Sequence, residues 1–236
     1  VTDIRKTARW AGLLYFMTLI LGPIGLIYVP TKIFVRGDPA ATAEHIRAME
    51  PLLRMGIAVE MIGQLFLVYA VLVLYRLFKP VNDGLARQML VLGALLPTPI
   101  FFVNLLNELA ALALAGGANV FAAFGQPQLD ALAYLFMQLH GRGFIVSEVF
   151  WGLWLYPFGF LVIRSGFIPK LLGWLLMIAG TAYVADCFVW VLWPQFSGPV
   201  GSVARLMQIG EVPIIFWLLI WGARIPPPAS PPSTAA

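Results

Sequence analysis

Several stretches of this chain stay apolar for longer than the ~18–20 residues that cross a bilayer core. That property removes most folds from consideration. Hydrocarbon offers no water to a free N–H or C=O, so each spanning segment must satisfy its own backbone, as a helix does. Hydropathy yields six such segments, at about 10–29, 55–78, 89–116, 143–163, 170–193 and 206–223. The expected fold is therefore all-α: one six-helix polytopic membrane domain over 1–225. A Pro/Ser/Ala-rich cytoplasmic tail at 226–236 is too poor in apolar residues to fold. Composition agrees, since 61% of residues are hydrophobic and 11% charged, against about 25% charged in soluble domains.

The net charge of +4 is no sign of nucleic-acid binding, because the basic residues sit at the ends of apolar runs and form no patch. Cys187 is the single cysteine, so no internal disulfide exists, and it reads as a buried, inert thiol. The basic start, "VTDIRKTARW", precedes an apolar run too long for a signal peptide, with no small-x-small site after it. It reads as an uncleaved first span.

Lys and Arg set the orientation. With the N-terminus inside, Arg5, Lys6, Arg9, Arg76, Lys79, Arg87, Arg164, Lys170 and Arg224 are cytoplasmic, nine against five outside (Lys32, Arg36, Arg47, Arg54 and Arg205), leaving aside Arg142 at the start of the fourth span. Both termini are thus expected in the cytoplasm. In the first outer connection, Asp38 before Pro39 is an N-cap with proline at the first helical position. It predicts a short amphipathic helix over 39–50 along the outer surface, ended by Pro51. The apolar pattern of the fourth span begins near Leu129, giving roughly 35 residues, or ~52 Å. That helix either projects from the membrane or breaks at Gly141–Gly143.

The stretches "GDPAATA" at 37–43, "FFVNLLNELAAL" at 101–112 and "HGRGFIVSEVFWGLWLYPFGFLVIRSGFIPKLLGWLLMIAGTAYVAD" at 140–186 carry a family resemblance. From about Arg9 to Trp193 the chain resembles the bacterial multi-pass membrane proteins catalogued as domain of unknown function 4386. The resemblance implies a small inner-membrane protein. It implies no activity, substrate or cofactor.

An ionisable group near a span's centre costs ~2.5–3.5 kcal/mol on insertion scales, so such residues face the bundle interior. Five carboxylates qualify: Glu60, Glu108, Glu148, Asp186 and Glu211. With alternating spans, Glu60 and Gln64 share a face in the outer half of the second. Asn104, Asn107 and Glu108 form one stripe in the outer half of the third. Asp186 falls in the outer third of the fifth, beside Tyr183 and Trp190. Gln208 and Glu211 come early in the sixth, and His140 and Arg142 open the fourth. Glu148 lies nearer the middle. His140, Phe144, Ser147, Trp151, Trp154 and Phe158 make a stripe of three and four. If the stripes face inward, they enclose one carboxylate-rimmed, aromatic-walled pocket in the outer half, over an apolar floor.

Such a pocket suits an intramembrane enzyme. A carboxylic acid in apolar surroundings can deliver a proton, and aromatic faces can stabilise a developing cation. The substrate would be an apolar lipid or isoprenoid-like molecule, with Glu108 or Asp186 as the acid and His140 or Glu148 as its partner. The ligand wall would comprise Glu60, Gln64, Asn104, Asn107, Arg142, Ser147, Trp151, Trp154, Tyr183, Trp190, Gln208 and Glu211. Two alternatives stand beside it: a non-catalytic lipid or small-ligand binder or partner subunit, and a small proton-linked transporter. The expected partners are membrane lipids and an apolar ligand; the oligomeric state is open. One histidine with several carboxylates could hold a divalent ion that activates water, but no H-x-x-x-H or comparable spacing occurs, so no metal is assigned and the cofactor is left open.

Overall fold

The computed structural model describes residues 3–117 and 123–224, and the expected disordered tail lies outside the described residues. All the regular elements it describes are helices, and six are long and apolar enough to span a membrane: Ile4–Ile33, Glu50–Phe78, Asp83–Ala115, Gln126–Ser165, Lys170–Leu192 and Pro194–Ile220. Large hydrophobic side chains stand exposed around the bundle, among them Leu65, Tyr69, Val103, Leu106, Leu171 and Phe188. That is the surface a lipid-solvated protein presents.

The first span is α1 (Ile4–Pro23), a wide turn at Ile24–Tyr28 and α2 (Val29–Ile33). Pro23 lacks an N–H for the helical ladder, and the wide turn begins directly after it. Helix α3 (Pro39–Ala48) starts as expected: the Asp38 carboxylate accepts the Ala41 N–H at 2.9 Å. It stops two residues early. The Met49 N–H closes it on the His45 carbonyl, and Pro51 occupies the first turn of α4 (Glu50–Phe78), where its missing N–H costs nothing. Its inner face, Thr42, Ala43 and Ile46, is fully packed, and it lies against α6 and α7.

The third span joins α5 (Asp83–Leu90) through a wide turn at Val91–Leu95 to α6 (Pro97–Ala115). The fourth is α7 (Gln126–Leu153) followed by α8 (Leu155–Ser165). Helix α7 runs unbroken through Gly141–Gly143. The interruption falls at Trp154 instead, because Pro157 cannot bond the carbonyl of Leu153. The 40-residue span is about 60 Å long at 1.5 Å per residue and so projects beyond a ~30 Å core. The last two spans are α9 (Lys170–Leu192) and the pair α10 (Ser197–Gln208) and α11 (Val212–Ile220), the latter joined by a single tight turn.

Helices α7 and α8 cross α9 through two glycine pairs seven residues apart, Gly152 with Gly180 and Gly159 with Gly173. A methyl on Gly159 would come within 2.7 Å of the Gly173 carbonyl oxygen, and one on Gly180 within 2.7 Å of that of Gly152. Small residues let the backbones approach, as membrane helix packing requires.

Two apolar cores result. One lies toward the termini and includes Phe78, Leu74, Met89, Phe158, Leu161 and Leu218. The other lies toward α3 and includes Val29, Ile46, Leu53, Leu112, Ala133 and Met137. On α4, α6 and α7 six of the seven buried polar residues fall between them, Glu60 and Gln64, Asn104 and Glu108, His140 and Ser147, while Asp130 pairs with Arg47 of α3.

Candidate functional site

Three ionisable side chains meet between the cores. His140 on α7 points its Nε2 between Glu60 of α4 and Glu108 of α6, 3.6 Å from Oε2 of the first and 3.6 Å from Oε1 of the second. All three are sealed, at 2%, 4% and 1% exposure respectively. At 3.6 Å neither approach is a hydrogen bond. His140 Nε2, both oxygens of Glu60 and Oε2 of Glu108 lack a hydrogen-bond partner. One ligating atom from each residue lies within 4.8 Å of the others, an arrangement able to hold a cation.

Asparagines frame this triad. Nδ2 of Asn104 donates to the His140 carbonyl at 3.0 Å, and Nδ2 of Asn107 donates to Oδ1 of Asn104 at 3.0 Å. Nδ1 of His140 lies 3.4 Å from the Asn104 carbonyl. A carbonyl only accepts, so Nδ1 carries the proton in that contact. Glycines complete the fit. A methyl on Gly143 would fall on the Asn104 carboxamide, and one on Gly25, in the wide turn of the first span, would strike the Glu60 side chain.

A cavity of about 330 Å³ begins at Glu60 and Gln64 and passes between α1, α4, Phe101, Trp151, Trp154 and Tyr183 to Glu211 and Ile215. Pro23 and Ile27 at its edge are exposed, so it meets the lateral surface of the bundle beside α1. Its walls are mostly apolar and aromatic. Trp154 stacks on Phe158 at 5.4 Å and tilts against Tyr15, and Trp151 stands edge-on to Tyr183. Gly93, in the second wide turn, makes room for the Trp154 ring. At the far end Glu211 accepts from the Tyr15 hydroxyl, and from that of Tyr183 at 3.2 Å. Phe144 links the two regions, 4.9 Å from the His140 ring and 5.8 Å from Trp151.

The residues expected to share one pocket thus divide. Glu60, Gln64, Trp151, Trp154, Tyr183, Gln208 and Glu211 line the cavity. Glu108, His140, Asn104 and Asn107 stand behind Glu60. Glu148 and Asp186, on facing parts of α7 and α9, form a further polar group with Arg205 and lie outside the cavity wall. Gly201 leaves room for both the Asp186 carboxylate and the Arg205 guanidinium. Trp190 is half-buried away from the cavity, and Arg142 is exposed. Two residues beyond His140 on a helix, Arg142 points about 200° from it. The Ser147 hydroxyl bonds the Gly143 carbonyl at 2.8 Å within its own helix. Glu211 lies deeper than expected, because the sixth span begins at Pro194 rather than near 206.

Tyr15, Thr98 and Phe101 were not foreseen, although Thr98 Oγ1 accepts the Gln64 amide at 2.9 Å and Tyr15 holds Glu211. Tyr15 and Phe101 look like ordinary membrane-helix residues, and no local signal marks them. Gly25, Gly93 and Gly143 carry no local signal beyond a weakened helix; what each accommodates comes from another span.

A family model described as Domain of unknown function (DUF4386) matches residues 10–222. A stretch of 87 residues, 37% of this chain, is 38% identical to an uncharacterized protein of Archaeoglobus fulgidus and covers 51% of it. The chain therefore spans about half the length of that relative, whose source is an archaeon rather than a bacterium. No solved structure matches.

Proposed function

As this chain belongs to the family described as Domain of unknown function (DUF4386), a description that assigns no reaction, we propose a function from the site itself: an intramembrane enzyme that admits one apolar, lipid-like molecule from the bilayer and acts on it by proton transfer. The observation that carries this is the cavity, apolar and aromatic along its length with a carboxylate at each end. Glu60 and Gln64 receive the polar end of the ligand. Glu211, oriented by Tyr15 and Tyr183, faces its apolar body and gives or takes the proton. Trp151 and Trp154 offer π-faces to the cation that forms when an alkene carbon is protonated. A proton leaving the neighbouring carbon to the Glu211 carboxylate restores the acid, so the net change is an isomerisation.

Nine basic residues against five support cytoplasmic termini, which puts the Glu60 end in the outer half of the membrane. On the cytoplasmic side of Glu211 the core of Phe78, Phe158, Leu161 and Leu218 is closed. That floor favours an enzyme or binder over a transporter, which needs a polar path from both sides.

The test uses protein purified from membranes in detergent and equilibrated in D₂O, with mass spectrometry of the molecules extracted from it. An apolar compound should co-purify and take up deuterium at carbon. Leu19→Trp, which fills the cavity, should lose the compound. Glu211→Gln should keep it without deuterium. A compound that never exchanges would make this a binding protein, and exchange that survives Glu211→Gln would remove the assigned role.

A further inference from the structure

We propose that Glu60, Glu108 and His140 form a binding site for one divalent first-row metal ion, with zinc as the simplest occupant. The inference does not depend on what fills the cavity.

Geometry is the first argument. Ligand atoms at 2.0–2.2 Å from an ion, set at tetrahedral angles, lie about 3.3–3.6 Å apart. His140 Nε2 stands 3.6 Å from an oxygen of each carboxylate. That spacing is too long for a hydrogen bond and right for atoms that share a metal. The third separation, within 4.8 Å, closes by rotation of a carboxylate about its terminal bond.

Protonation is the second argument. The Asn104 carbonyl 3.4 Å from Nδ1 accepts the ring proton there. In the neutral ring Nε2 then presents its lone pair to two carboxylates, which repel it. A carbonyl or carboxylate that fixes the far nitrogen is the usual arrangement behind a metal-bound histidine. The Asn104 amide, bonded to the His140 backbone and braced by Asn107, holds the two helices in register around this contact.

Charge is the third argument. Two ionised carboxylates buried in a membrane bundle must be neutralised. Among the described residues, no Lys or Arg nitrogen lies within ion-pairing distance of either. An imidazolium would cancel one charge, whereas a divalent ion cancels both. Of the eight buried side-chain polar atoms without hydrogen-bond partners among the described residues, four, His140 Nε2, Glu60 Oε1 and Oε2 and Glu108 Oε2, belong to this one place. Three protein ligands leave a tetrahedral ion one open position. Of the three ligands, Glu60 is the one that also lines the cavity.

The experiment is elemental analysis of the detergent-purified full chain, followed by chelator stripping and titration with Zn²⁺, Mn²⁺ or Fe²⁺ under a thermal ramp. Wild-type protein should carry about one ion per chain. After stripping, its unfolding temperature should fall and then recover in a saturable way with added metal. His140→Asn and Glu108→Gln should lose the ion and the recovery while remaining monodisperse. Asp186→Asn, in the separate polar group, should retain both. The proposal is overturned if wild-type protein carries no ion and its unfolding temperature ignores all three metals, or if the triad variants bind as wild type does. Should both triad variants fail to fold, the wild-type titration decides alone.

Discussion

The glycines of "HGRG" on α7 give a sharp test of how the site is held. Gly141 has nothing within 4 Å of where a Cβ would stand; on Gly143 that atom would lie 2.9 Å from Nδ2 of Asn104 and closer still to Cγ and Oδ1. Gly→Ala in a helix gains about 0.8–1 kcal/mol from propensity. At Gly141 that gain is unopposed. At Gly143 it is offset by overpacking, about 1–3 kcal/mol, and by the Asn104 bonds to His140 and Asn107, about 0.6 kcal/mol each between membrane helices. The net cost is about 1–3 kcal/mol. For a chain of this length, about 2–4 °C per kcal/mol makes roughly 4–8 °C lost at the middle of that range. Cys187, single and buried, supplies the assay: a thiol-reactive fluorogenic dye reports unfolding during a thermal ramp. Gly141→Ala should unfold at or slightly above the wild-type temperature and Gly143→Ala several degrees below it. Because the obstruction is the Asn104 carboxamide, Gly143→Ala combined with Asn104→Ala should be no worse than Asn104→Ala alone. Equal shifts at the two glycines, or full additivity in the double variant, would refute the packing assigned here.

Other outcomes follow from the fold. Asp38→Ala removes the cap of α3; it should cost about 1 kcal/mol and speed amide exchange at Ala41. Gly180→Val drives a side chain into the Gly152 carbonyl, where backbone cannot yield. It should abolish monodisperse protein on size exclusion, while Gly198→Ala, open on all sides, should not. Phe158→Ala empties a fully buried ring position against Phe78; about 3–5 kcal/mol should appear as the largest fall in dye-reported unfolding temperature among these variants. Arg47→Ala breaks the 3.0 Å pair with Asp130. Gln126 still serves that carboxylate at 2.8 Å and Arg47 is 39% exposed, so the loss should stay within about 1 kcal/mol and shrink with added salt.

Much of this protein is written in local sequence. Apolar run length determines six helices, because a bilayer leaves the backbone no other partner than itself. Asp38–Pro39 determines the start of α3, since capping involves only neighbouring residues. The cost of charge in hydrocarbon marks Glu60, Glu108, Glu148, Asp186 and Glu211 as inward-facing before any coordinate is known. Only the tertiary structure decides which of them meet. Depth along a span is a one-dimensional reading, and at one depth it cannot separate residues on different sides of the bundle. His140 therefore joins Glu60 and Glu108, whereas Glu148 and Asp186, equally conspicuous in sequence, gather with Arg205 elsewhere. The proposed metal-ligand set has no sequence spacing at all because its three members come from α4, α6 and α7, brought together by helix packing. The glycines that make the meeting possible, Gly25 beneath Glu60 and Gly143 beneath Asn104, acquire meaning only when the facing side chain arrives from another span.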